Sequence, residues 1–105
     1  MLELLIEKYG KGFTWFEPSN KLAFENQLCK ELIPEHPLYG KKLYVVAKSE
    51  RNDDVLFSDL YDYYLIHLTW AMGTKDYPHY QRIKAESILS YLEEDYLSGI
   101  NSEED

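Results

Sequence analysis

Cysteine is nearly absent from this chain: Cys29 is the only one among 105 residues. A single thiol excludes an internal disulfide and any zinc site built from several cysteines of one chain. Long apolar runs are also missing, and none approaches the roughly 20 residues that cross a bilayer. The opening residues MLELLIEKYG place acids inside their apolar pattern and lack the basic start of a secretory signal. Phosphate-loop, dinucleotide-fingerprint and nucleophile-elbow patterns are absent too. These absences lead to the expectation of a soluble protein of a reducing cytoplasm, with no membrane partner and no cofactor.

Positive charge is scarce. Eleven basic residues face 19 acidic ones, for a formal net charge of −8. The excess is concentrated at the end: Glu93, Glu94, Asp95, Glu103, Glu104 and Asp105 fall after Leu92, with no Lys or Arg among them. The remainder is close to balanced. Binding nucleic acid through its phosphates needs a basic face. Only the isolated pairs Lys41-Lys42 and Arg82/Lys84 come near one, so no nucleic-acid partner is expected.

What the chain does have is apolar and aromatic. Apolar residues make up 45% and aromatic residues 15%, which is enough for the core of one small domain. Ten of the aromatics are tyrosines, which pack a ring inward and keep the hydroxyl at water. The densest stretch runs from His36 to Trp70. There the runs KKLYVVAKSE, DDVLF and YYLIHLTW are separated by turn residues. Residues 43–49 alternate, with Leu43, Val45 and Ala47 on one face and Tyr44, Val46 and Lys48 on the other. Asn52-Asp53-Asp54 reads as a turn, Val55-Leu56-Phe57 as the next strand, and Asp59–Asp62 as a second turn. In the third strand Tyr64, Ile66, Leu68 and Trp70 share the core face, and Tyr63, Leu65, His67 and Thr69 share the other. Short connections make these strands antiparallel neighbours.

Helical patterns flank the strands. A two-turn segment from Leu2 to Tyr9 ends at Gly10 and Gly12, and Trp15-Phe16 follows as an aromatic pair covering the core. A helix then starts near Ser19 or Asn20. Its stripe is Phe24, Leu28 and Leu32, widened by Leu22, Cys29 and Ile33, and Pro34 stops it. Cys29 therefore reads as a packed small hydrophobe. Met72 to Tyr80 reads as a loop. The last periodic segment covers 81–97, with Ala85, Ile88, Leu89 and Leu92 on its apolar face and Gly99 as its stop. The expected fold is α+β: a three- or four-stranded antiparallel sheet packed by a helix from the N-terminal half and a C-terminal helix. Residues 1–99 form one domain and 100–105 an acidic disordered tail.

Few residues here carry chemistry. His67 is the first candidate, beside Tyr63, Thr69 and Trp70 at the end of the third strand. No Asp or Glu is placed by sequence to orient it, so a half-buried structural histidine is the simpler reading. His36, His67 and His79 lack metal-ligand spacing, and Asp53-Asp54 lacks the repeating oxygens and glycine of a calcium loop. Glu17, Glu31 and Glu35 fall into no acid/base pattern. The expectation is no catalytic residue and no metal ligand, with Tyr63, His67, Thr69 and Trp70 as a candidate binding set.

The central block resembles a family of small bacterial proteins of uncharacterised function. Five elements carry the resemblance: Phe24-Glu25, Glu31-Leu32, the HPLxG element His36-Pro37-Leu38-Tyr39-Gly40, the DDVLF element Asp53–Phe57, and the HLTW element His67-Leu68-Thr69-Trp70. Residues 15–80 are covered. The chain departs from the family pattern at the second turn, where SDLYDYY replaces a glycine-containing turn, and in its acidic end. The resemblance implies a cytoplasmic α+β protein and brings no activity with it.

Small size, acidic charge, an exposed tyrosine-rich sheet face and missing catalytic motifs favour a non-enzymatic protein-binding module. An immunity or antitoxin-like inhibitor of a basic target is its concrete form. The competing readings are a small-molecule-binding protein or enzyme with a pocket near His67, and a structural subunit. The chain is expected as a monomer or a homodimer.

Overall fold

Val55, Leu56 and Phe57 are consecutive, apolar and wholly buried. An unbroken apolar run of this kind marks a strand covered on both faces, and this strand lies at the centre of the sheet. The computed structural model describes residues 2–104, with side chains described for all of these except Lys11 and 99–104. Five strands, β1 (Trp15–Phe16), β2 (Tyr44–Ser49), β3 (Asp54–Ser58), β4 (Tyr63–His67) and β5 (Tyr80–Ile83), pair in chain order, every neighbour antiparallel. Three α-helices among the described residues cover this open sheet: α1 (Leu2–Tyr9), α2 (Lys21–Glu31) and α3 (Ile88–Glu104).

Each face of the sheet has its own core. On one face Val45, Val55, Phe57, Tyr64, Ile66 and Leu68 pack with Leu28 of α2 and with Leu32, Leu38 and Leu43 of the connecting segment. On the other, Ala47, Leu56 and Ile83 pack with Leu2 and Leu5 of α1 and with Ile88, Leu92 and Tyr96 of α3. Tyr63 and Leu65 are half-buried against this second core. The tyrosine-rich sheet face expected to lie open is therefore covered by helices.

The structure keeps the α+β class and the antiparallel pairing and enlarges the sheet. Trp15-Phe16 forms an edge strand against Ser49 and Lys48 rather than a loose aromatic cover. Tyr80–Ile83 forms β5, in a stretch read as loop and helix start. A bulge between Val45 and Ala47 inserts one residue into β2. Alternation slips there, so Val45 joins the α2 core while Ala47 joins the opposite one. The expectation that both share a face is corrected by that extra residue. Leu22 and Cys29, placed on the buried stripe of α2, are both exposed. Helix α3 continues through Gly99, the expected stop. The side chains of the acidic end, 100–105, lie outside the described residues.

The acids after Leu92 act across the fold. Glu93 accepts hydrogen bonds from Lys8 Nζ and Tyr9 Oη, each at 2.8 Å. Asp95 Oδ2 accepts from Trp15 Nε1 and Arg51 Nη2, each at 2.9 Å. Together they fasten α3 to α1, β1 and the β2–β3 turn.

The β3–β4 turn lies where the sequence puts it and is held by Asp59. Its Oδ1 accepts the backbone N–H groups of Tyr61 and Asp62, and its Oδ2 accepts Tyr64 Oη at 3.0 Å and lies 3.2 Å from Lys41 Nζ. The Asp62 and Tyr61 amides hold this carboxyl far below the usual carboxylate range. Arg82 similarly lowers Asp62, and Lys8 lowers Glu93. A depressed carboxyl stabilises the fold above its ordinary range, near about pH 4, and that stability is lost as pH falls through the folded value. Urea midpoints should therefore drop steeply in acid. Asp59→Asn should lower the midpoint at neutral pH and flatten its acid decline; an unchanged profile would show that the turn carries none of this linkage.

Candidate functional site

Glu31 is the last residue of α2 and is fully buried. A buried carboxylate needs donors, and this one has four. Oε1 accepts Thr69 N–H at 2.8 Å and Thr69 Oγ1 at 2.7 Å. Oε2 accepts Trp70 N–H at 3.0 Å and Gln27 Nε2 at 2.8 Å. The chain leaving β4 is thereby pinned to the end of α2. Gly73 passes so close that a Cβ there would lie 1.6 Å from the Glu31 carbonyl oxygen, so no side chain fits.

His36 does the same for the far end of that segment. Its ring is buried. Nδ1 accepts the Leu38 N–H at 3.0 Å, so Nε2 carries the proton and donates to Pro78 O at 2.9 Å. The Tyr77–Pro78 bond is cis, and Thr74 Oγ1 accepts the Asp76 and Tyr77 amides. Residues 69–79 are thus fixed at both ends and braced within.

This frame presents large side chains to water. Trp70 has φ +58, a left-handed conformation that disfavours a bulky residue. Its N–H is committed to Glu31, and its indole is 51% exposed, meeting Phe24 at a ring separation of 6.0 Å. Met72 is 85% exposed and Tyr77 48%. Tyr77 stacks on His79 at 4.2 Å, and Tyr80 leans on His36 at 5.7 Å.

His67 lies at the end of β4. Strand register sets Asp54 directly opposite, and Asp54 Oδ1 lies 2.8 Å from His67 Nδ1. The sequence therefore did place a carboxylate to orient this ring, in the first residue of the neighbouring strand, and the ring is exposed rather than half-buried. Asp54, Leu65, His67, His79, Tyr80 and Gln81 line a shallow depression of about 210 Å³. A paired imidazole and carboxylate there can hold or pass a proton; the lining holds no serine, threonine or cysteine nucleophile.

The four candidate residues do not form one pocket. Tyr63 stands at the opposite end of β4 from His67, about 13 Å along the strand. Thr69 commits its hydroxyl to Glu31. Trp70, expected in the core, turns outward because β4 ends at His67 and the chain reverses. His67 and His79 line one depression while His36 bonds to Leu38 and Pro78, and no group of three His, Cys, Asp or Glu among the described residues could hold a metal ion. Glu31 and His36 are the residues that sequence reasoning missed. A signal existed for Glu31: an acid in a helix's last turn opposes the macrodipole, so donors from elsewhere must justify it.

No family model, curated protein or solved structure matches this chain. No described helix is long and apolar enough to cross a membrane.

Replacing Glu31 by Gln removes the charge and half of its acceptor capacity. Thermal or urea unfolding of Glu31→Gln should show a loss of about 1–3 kcal/mol, and the amides of Thr69 and Trp70 should lose protection from hydrogen exchange. Protection unchanged at both amides would mean that the carboxylate does not hold the segment.

Proposed function

We propose that this chain is a protein-binding module whose contact surface is the braced segment 69–80. The observation that carries the reading is Trp70. A bulky residue is kept in a left-handed conformation by a buried carboxylate, and the result is an indole facing water beside exposed Met72 and Tyr77. Trp and Tyr on a rigid frame are the side chains that concentrate binding energy, and pre-ordering removes the entropy cost of fixing a loop at contact. The formal charge of −8 suits a basic target and faster encounter with it. An immunity or antitoxin-like inhibitor in a bacterial cytoplasm is the concrete form, acting by occupying its target. No step in this reading requires catalysis.

One observation favours a second reading, a small-molecule-binding protein or enzyme at the His67 depression: the 2.8 Å contact to Asp54 orients the ring while leaving it accessible.

Affinity capture from extracts of the cells that encode the chain separates the two. The wild type should retain one basic protein in stoichiometric amount. The Trp70→Ser/Met72→Ser double variant should lose it with a melting temperature shifted by only a few degrees, since both side chains are largely exposed. His67→Ala should keep the protein partner. Recovery of no stoichiometric partner, with a ligand-induced melting shift abolished by His67→Ala, would sink the first reading in favour of the second.

A further inference from the structure

The exposure of Leu22 and Cys29 on α2 has a counterpart across from them. Residues 39–44 run alongside the helix without closing onto it, and the two segments leave a groove of about 520 Å³. Its floor is Leu28, Leu32 and Leu43, all members of the α2 core. Its walls are Leu22 and Cys29 on the helix side and Tyr39 and Tyr44 on the other. The volume falls within the range of small-molecule sites, and a mainly apolar lining with a few polar groups is their usual composition.

The polar groups at this groove are not equivalent. Glu25 is its only carboxylate, and its Oε2 faces the sheet, accepting Val45 N–H at 3.0 Å. Lys41 is engaged with Asp59 and lies over the Tyr64 ring. Lys42 and Asn26 are exposed, and their side chains make no hydrogen bond or ion pair with the other described residues. An uncommitted cation beside an apolar groove stands out in a chain where acids outnumber bases by eight. Its ammonium, with the Asn26 amide, offers donors only to something brought from outside.

We infer that this groove binds a small anionic amphiphile, an apolar body with one carboxylate end, the body lying on Leu28, Leu32 and Leu43 and the carboxylate meeting Lys42. The occupant is a small molecule because a concavity of about 520 Å³, bounded on two sides by α2 and 39–44, has the size of a small-molecule site. The inference is independent of the segment 69–80, which lies against other residues of α2.

Decanoate, with decanol as its neutral analogue, tests the inference by calorimetric titration below the micelle concentration and by amide chemical shifts. Decanoate should bind saturably, shifting amides of 39–44 and slowing alkylation of Cys29. Decanol should bind at least about tenfold more weakly, the loss of one charged contact. Lys42→Gln should weaken decanoate by about the same factor and leave decanol unchanged. Cys29→Trp, which fills the groove from an exposed position, should abolish both, and Asn26→Trp provides a second filling variant should the first unfold. The Trp70→Ser/Met72→Ser variant should bind decanoate normally, which keeps this site distinct from the protein-binding surface. Absence of saturable binding, equal affinity for decanoate and decanol, or full affinity in a folded groove-filled variant would overturn the inference. So would an acidic amphipathic peptide that excludes decanoate at micromolar concentration.

Discussion

The Glu31 carboxylate organises the part of the molecule where the chain leaves β4. It is buried at the end of α2, where the helix dipole opposes it, and four donors from Thr69, Trp70 and Gln27 offset that cost. Two of those donors are consecutive backbone amides. A backbone that donates successively to one carboxylate cannot continue as a strand, so β4 ends and Trp70 is turned outward. Exposure of the indole is thus a consequence of burying the acid. The close pass of Gly73 and the His36 contact to Pro78 then fix where the rest of the segment can go.

The residues of the HPLxG, DDVLF and HLTW elements and the end of α2 engage one another or their neighbours in space. Glu31 meets Thr69 and Trp70, Asp54 meets His67, and Asp53 O accepts the Leu68 amide. His36 holds the segment that follows. These contacts join the end of α2, the start of β3 and the end of β4. They give the pattern a physical content: it describes a junction, and the junction positions a surface. The His67–Asp54 pair sits on that junction, exposed because its strand ends there.

How much of this was legible depended on whether the signal was local. The DDVLF run announced a strand, and Asp59–Asp62 announced its turn, because an apolar run and Asp side-chain capping act within a few residues. The two edge strands were not legible. Trp15-Phe16 is too short to show alternation, and Tyr80–Ile83 does not alternate, only Ile83 of its four residues being buried, and it runs into a helical pattern that absorbs it. The bulge at Val45/Ala47 was hidden for a different reason: period two assumes no inserted residue. The site was the least legible part. Tyr63, His67, Thr69 and Trp70 adjoin in sequence, but the partners that decide their roles, Glu31 and Asp54, come from other elements, 38 residues away for Thr69 and 13 for His67.

The clasp formed by Glu93 and Asp95 bears on how the chain assembles. Strands β2 to β5 lie beside their neighbours in sequence, so this part of the sheet closes through local connections at low entropic cost. The contacts from Lys8, Tyr9 and Trp15 to α3 instead bridge 80 to 85 residues. The long-range closure entropy of the molecule is concentrated there. During synthesis the α2 face of the sheet, and with it the Glu31 junction, is built from residues that emerge ahead of α3, while the side-chain contacts of Lys8, Tyr9 and Trp15 wait for that helix.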